Sequence, residues 1–254
     1  MLAVAPPPRV ALVPNAIAFC DQRHGIMGTG WQGCAARGWG CRPQGTISIT
    51  SDAGKTWNVL LRTPRPVVSV TVVGANEQAR FDDGETLGSS DGGRHWAPQV
   101  VYPGGMVGPC PAGTIAFVIV GWALCTTQPS AGNQGKIVYR LFESGWRRIS
   151  YTPFARRSYN GLSSYGYPQG IAMANDGFGL IWESRGTLYV TRSFGSHWVG
   201  LDNVAQPEVD FGMSGVALRH GVGFVILARG GTEVRRLIET TDAGRSWMVV
   251  HTWK

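Results

Sequence analysis

Five acidic side chains are placed where they could do chemistry: Asp82, Asp83, Glu183, Glu208 and Asp210. Arginines that could hold an anionic substrate lie in similar turn-rich stretches, at Arg156, Arg157, Arg185 and Arg229. Hydrolysis of a glycosidic bond needs two carboxylates roughly 5–9 Å apart, flanking the sugar. A second chemistry is recognition. The stretch 153–169 holds Tyr159, Tyr165 and Tyr167 with Arg156, Arg157 and several Ser, Gly and Asn. Amphipathic rings among adaptable polar neighbours are typical of binding loops. Trp39, in the Gly-rich stretch 32–44, is a further candidate. Each residue also has a plainer reading, as a solvated loop charge or as cover for a seam between structural units.

Metal and redox chemistry find less support. The five cysteines are Cys20, Cys34, Cys41, Cys110 and Cys125, with no CxxC pair and no Cys/His cluster at zinc spacing. No metal or cofactor is expected. Cys34 and Cys41 flank a Gly-rich loop, and Cys110 and Cys125 end an apparent hairpin. Both pairs are disulfide candidates, which would imply an oxidising compartment, although buried free thiols fit too. Cys20 is the odd one and could re-pair with Cys34 or Cys41. The net charge is +7, but Lys and Arg are scattered, with only short pairs such as Arg147-Arg148 and Arg235-Arg236. This suits a solvated basic surface better than a nucleic-acid interface. No apolar run of 18 residues is present, so no spanning helix is expected. Residues 1–8 read as a flexible segment without the basic start and apolar core of a signal peptide.

These side chains need a scaffold, and the chain repeats itself. The segments beginning at Thr50, Ser89, Thr191 and Thr240 share the pattern S/T-x-D-x-G-x-(T/S/H)-W. Their key residues are Asp52, Gly54 and Trp57; Asp91, Gly93 and Trp96; Gly195 and Trp198, with Ser193 in place of Asp; and Asp242, Gly244 and Trp247. A degenerate copy runs from Phe142 to Trp146. The Trp residues are spaced by 39, 50, 52 and 49 positions, about the length of a four-stranded propeller blade. In this pattern Asp accepts backbone N–H bonds in a tight turn, Gly takes positive φ, and Trp offers a large apolar face. Turn chemistry accounts for these aspartates without catalysis. Thirty-six Gly, ten Trp and only 15% charged residues suit many short strands.

The pattern resembles the Asp-box, or BNR, repeat of sialidases, sortilin-type receptors and photosystem II assembly factor propellers. The resemblance covers nearly the whole chain and implies an all-β, five-bladed propeller over residues 9–254. The expected blades are 9–63, 64–102, 103–152, 153–204 and 205–254. Ring closure stays open between packing of blade 5 on blade 1 and pairing of residues 9–13 with the last blade. The box turns should lie on one face, and the second-to-third strand loops and interblade links on the other, where propellers usually bind ligands.

The expected function is an extracytoplasmic binding or assembly propeller, secreted, periplasmic or at the cell surface. Its partner would be a protein, glycan or small molecule, and the chain would be monomeric. The alternative is a sialidase-like glycoside hydrolase, or another small-molecule enzyme with carboxylates at the channel mouth. Against the sialidase alternative, the Arg-Ile-Pro motif of that family is missing, Pro8-Arg9-Val10 being the nearest approach, and sialidases have six blades.

Overall fold

The structure is a computed structural model. It describes residues 13–30, 44–73, 76–99, 108–153, 160–185, 187–205, 210–230, 232 and 234–253. Twenty strands form five antiparallel sheets of four, the blades of a β-propeller. Blade 1 is β1 (Pro14–Phe19), β2 (Gly25–Gly30), β3 (Gly45–Thr50) and β4 (Asn58–Thr63); blade 2 is β5 (Val67–Val73), β6 (Asn76–Phe81), β7 (Thr86–Ser89) and β8 (Ala97–Pro98). Blade 3 is β9 (Ile115–Ile119), β10 (Trp122–Thr126), β11 (Lys136–Phe142) and β12 (Gly145–Thr152). Blade 4 is β13 (Tyr167–Met173), β14 (Gly179–Ser184), β15 (Tyr189–Thr191) and β16 (Val199–Gly200). Blade 5 is β17 (Asp210–Ala217), β18 (Gly223–Arg229), β19 (Arg235–Thr240) and β20 (Met248–Trp253).

The repeated sequence builds a repeated turn. In blade 1, Thr50 Oγ1 accepts the Gly54 N–H at 2.9 Å, and Asp52 accepts the Thr56 N–H at 2.9 Å and its hydroxyl at 2.6 Å. Blade 5 repeats this with Thr240 to Gly244 at 2.8 Å and Asp242 to Ser246 at 2.9 and 2.7 Å. In blade 2, Asp91 takes the Arg94 and His95 N–H groups, each at 3.0 Å. In blade 4, Ser193 Oγ keeps one such bond, from His197 N at 3.0 Å. The chain can close this way because the box glycines take positive φ, for example 82° at Gly54.

The box then reaches across to the preceding blade. Trp57 packs in the cluster joining blades 5 and 1, and Trp96 in that of blades 1 and 2. Trp198 lies in the cluster of blades 3 and 4, and Trp247 against that of blades 4 and 5. Among the described residues no such cluster joins blades 2 and 3. Blade 3 is the blade with the shortened box, and its Trp146 belongs to none of the four. Among the described residues, packing and side-chain hydrogen bonding join blade 5 to blade 1. Phe19 stacks on Phe224 with centroids 3.9 Å apart, and Ile17 N–H donates to Ser214 Oγ at 3.1 Å. Of the alternative closure segment, residues 9–12 lie outside the described residues. Val13 offers its carbonyl to Gly30 of its own blade, at 3.0 Å.

The Cys110–Cys125 disulfide is present and ties the segment before β9 to β10, and Cys20 is an exposed free thiol. Cys34 and Cys41 lie outside the described residues. Two candidate residues lie in strands rather than loops. Tyr167 opens β13 and Asp210 opens β17, so both belong to strands and not to interblade links. A bulge recurs early in the first strand of blades 1, 2, 4 and 5, at Pro14/Ala16, Val67/Ser69, Pro168/Gly170 and Gly212/Ser214. The bulge admits extra residues before each inner strand settles into register.

Trp198 is 1% exposed, so Trp198→Ala should lower unfolding stability by about 3–5 kcal/mol in urea denaturation. Trp146→Ala should cost far less, since no seam is built on it. Reducing the disulfide, whose partners are 15 residues apart, should cost about 3 kcal/mol.

Candidate functional site

The face opposite the boxes holds the ends of the second strands and the starts of the third. A cleft of about 310 Å³ opens there between blades 4 and 5. The starts of β13 and β17 bring Gln169, Phe211 and Met213 to it, and the ends of β14 and β18 bring Ser184 and Arg229. Thr232 and Arg235 complete the rim. The turn from Arg229 is tight: Thr232 donates its N–H to the Arg229 carbonyl at 3.2 Å, and Arg229 donates its own to Val234 at 3.2 Å. Arg235 donates to the Thr232 and Val234 carbonyls at 3.5 and 3.3 Å. Gln169 Nε2 donates to Ser184 Oγ at 3.2 Å. Among the described residues the cleft lining has two arginines and apolar walls; Glu233, next to Thr232 in sequence, lies outside the described residues.

Under the neighbouring seam sits a buried ion pair. Lys136 opens β11 and Glu183 lies near the end of β14; both side chains are fully buried, with Nζ and Oε1 2.9 Å apart. Lys136 Nζ also donates to the carbonyls of Ser163 at 2.5 Å and Tyr165 at 2.7 Å. Two of the ammonium's three protons thus have carbonyl acceptors, and its remaining side faces Glu183 as an ion pair. The Tyr189 ring is 5.8 Å from Nζ, and its hydroxyl accepts the Ser163 N–H at 3.2 Å. Burial pushes the Glu183 carboxyl up to about 7, with Lys136 pulling it back. Burial likewise lowers Lys136, against the pull of Glu183. Burial, then the Glu183 charge, raises the Tyr189 hydroxyl above its usual range.

The pair anchors residues 160–166. That segment also bonds to the blade 3 loop: Gln134 N–H to Ser164 O at 2.7 Å, Gly166 N–H to Gly132 O at 2.9 Å, and Gly132 N–H to the Tyr167 hydroxyl at 2.9 Å. Leu162 is fully buried in the seam cluster, and Trp198 N–H donates to the Asn160 carbonyl at 2.8 Å. The described part of the Tyr-rich stretch is therefore built into the blade 3–4 seam, with Tyr165 and Tyr167 half-buried.

Of the carboxylates expected to do chemistry, those with described side chains, Asp82, Asp83 and Glu183, are divided between blades 2 and 4. Asp82 and Asp83 are in the β6–β7 turn of blade 2, both exposed. Asp83 and Glu85 both pair with Arg65. The Glu85 N–H, and then Arg65, hold the Asp83 carboxyl below its usual range. Glu183 is buried in blade 4, and Asp210 opens blade 5. Arg185 is exposed in the β14–β15 turn with φ of 55°. Trp39, Arg156, Arg157, Tyr159 and Glu208 lie outside the described residues. The sequence reading missed Lys136, Gln134, Tyr189 and most of the cleft lining. An isolated Lys at the head of an apolar strand was a signal for Lys136, but its partner comes from the next blade.

No family model and no curated protein matches the chain. Solved structures to which it is similar include YCF48 bound to D1 peptide, at 16% identity over 95% of this chain and 82% of that one, TM-score 0.40. YCF48 from Cyanidioschyzon merolae matches at 13% over 96% and 72%, TM-score 0.34. The GH74 xyloglucanase from Xanthomonas campestris matches at 15% over 93% and 38%, TM-score 0.38. The reading of the site rests on this chain's own side chains.

Lys136→Met should leave the Glu183 charge unpaired in the seam and cost about 3–5 kcal/mol near pH 8. The raised carboxyl binds its proton more readily folded than unfolded, so stability must fall as pH rises from about 4.5 through 7. Lowering the pH to 5 should thus restore much of the loss, which urea titrations at the two pH values would read.

Proposed function

We propose that this chain is a binding propeller of an oxidising, extracytoplasmic compartment. It takes a protein segment, glycan or small ligand on the face opposite the boxes. The observation that carries this reading is the cleft between blades 4 and 5, whose described lining offers Arg229 and Arg235 beside the apolar Phe211 and Met213. Such a lining suits a ligand with an acidic group on an apolar body, held by Arg229 and seated against Phe211 and Met213. Glycosidic hydrolysis would need two carboxylates flanking a substrate. Glu183 is engaged by Lys136, and Asp83 by Arg65 in another blade. The Cys110–Cys125 bond supports the compartment. Among the described residues no helix is long and apolar enough to cross a membrane.

The test is calorimetric titration with a panel of acidic peptides and uronic-acid oligosaccharides, alongside fluorogenic glycosides. A panel member should bind, and Arg229→Ala should weaken it by tenfold or more, since a charged hydrogen bond carries about 1.5–3 kcal/mol. Turnover of a glycoside that Glu183→Gln abolishes would instead assign the chain to the hydrolases.

A further inference from the structure

The repeat's departures from its own pattern fall together in one sector of the box face. Blades 1, 2 and 5 carry Asp52, Asp91 and Asp242, each held below the usual carboxylate range. The causes are, first, the Thr56 hydroxyl, the His95 side chain and the Ser246 N–H respectively. Blade 3 has no box aspartate and blade 4 has Ser193 in its place. Two of the five sectors therefore lack the box aspartate, while Glu143 of the blade 3 turn and the exposed Asp176 beside Phe194 are the carboxylates there.

Arginines stand there instead. Arg140 and Arg147 are direct cross-strand partners on β11 and β12. Like charges so placed repel each other. Among the described residues no carboxylate forms an ion pair with either, Glu143 of the turn between them included. Arg140 lies over Trp122, Phe142 and Phe194, its guanidinium 5.2, 5.0 and 4.7 Å from the ring centres. Arg147 lies 5.2 Å from Phe142 and donates to Ser144 Oγ at 2.8 Å. Phe194 has φ of 52° where the other boxes place Ala53, Gly92 and Ala243, and its ring is 37% exposed. A bulky residue with positive φ is disfavoured, so Phe194 holds this position at a local cost.

Beside these rings is an aliphatic tip. Val120 is 86% exposed in the β9–β10 turn and Leu141 is 44% exposed; the Leu141 N–H donates to the adjoining Gly121 carbonyl at 2.9 Å. The combination of basic groups, aromatic rings and bare aliphatic side chains is the chemistry of a membrane interface. A soluble polyanion would have no use for Val120 and Leu141. Stacked nucleobases would have to compete with guanidinium groups already lying over the rings.

We propose that the box-face tip of blades 3 and 4 docks on an anionic lipid surface. Val120, Leu141 and Phe194 enter the headgroup layer, and Arg140 and Arg147 meet lipid phosphates. Glu143 and Asp176 offset part of that charge, while the chain's net charge of +7 adds a broader attraction. The ligand face then points away from the membrane.

The test is co-sedimentation of the whole chain with vesicles of phosphatidylcholine alone, or with one part phosphatidylglycerol to two parts phosphatidylcholine. The chain should pellet with the anionic vesicles, less so as salt is raised, and not with the neutral ones. Arg147→Gln should weaken this about fivefold, the effect of one basic residue at such a surface. Val120→Asp should weaken it at least as much without changing the melting temperature, since that side chain stands in solvent. Absence of binding, equal binding to both vesicles, or indifference to Val120→Asp would overturn the proposal. So would tighter retention on a soluble sulfated polysaccharide that Val120→Asp leaves unchanged, which would assign the arginines to a polyanion.

Discussion

The fold depends on one close approach, repeated around the ring: a box glycine and its tryptophan pressed against the preceding blade. A methyl group on Gly54 would stand 2.4 Å from Leu237 of blade 5, and one on Gly93 would stand 2.5 Å from Leu60 of blade 1. One on Gly244 would stand 2.7 Å from Val190 of blade 4. The positive φ that closes the turn and the lack of a side chain that admits the neighbouring blade are thus demanded at the same position. The hydrogen bonds of the box hold the turn so that the tryptophan can reach across. Local turn chemistry and long-range packing are one constraint, and the absence of a described cluster between blades 2 and 3 follows the loss of that device from blade 3.

Blade 4 shows how the constraint is met with different means. Its box has lost the aspartate, and Ser193 holds a single N–H. In return, Trp198 is the most deeply placed box tryptophan, its indole N–H donating to Ser150 Oγ at 3.2 Å and to Gly195 O at 2.9 Å. Residues 160–166 fill the space beside it, fastened by Lys136. Removing two charges from water is costly unless every remaining hydrogen-bonding group is met. The ammonium meets that condition in part, with two carbonyl acceptors besides its ion pair with Glu183. Neither oxygen of the Glu183 carboxyl accepts a hydrogen bond of good geometry among the described residues, and burial shifts the group toward its neutral form. The pair secures the position of one loop on another, which is a specific geometry more than a gain in stability.

How far these features could be read in advance follows from the range of the interactions. The blades were legible because a box is a contiguous run in which Thr50, Asp52, Gly54 and Trp57 satisfy one another locally. Strand boundaries failed where a bulge intervened, as at Tyr167 and Asp210, since a bulge depends on the neighbouring strand. The disulfide of Cys110 and Cys125 was visible because both cysteines bracket a hairpin. The role of Glu183 was not, because Lys136 lies 47 positions away and only the stacking of blade 4 on blade 3 brings them together. The cleft was invisible for the same reason. Phe211 and Gln169 begin strands of different blades, and nothing local to either marks them as facing Arg229.

A repeat protein separates what the fold requires from what it merely tolerates. Positions that every copy shares belong to the seam, so their loss must be compensated or the seam opens. Positions that differ are released from that duty and can be read for other uses. Blade 3 gives up the box aspartate and places Arg140 and Arg147 face to face; blade 4 gives up its aspartate and holds Phe194 at positive φ. Arg140 of blade 3 does lie over Phe194 of blade 4, but the facing of Arg140 and Arg147 adds repulsion. Both changes make the same sector more basic and more apolar at its tip. On the opposite face, the interblade links differ most between copies, and there the differences build a cleft and a fastened loop. The two faces thus carry separate departures from one repeat, each joined to the other only through the rigid seams between them.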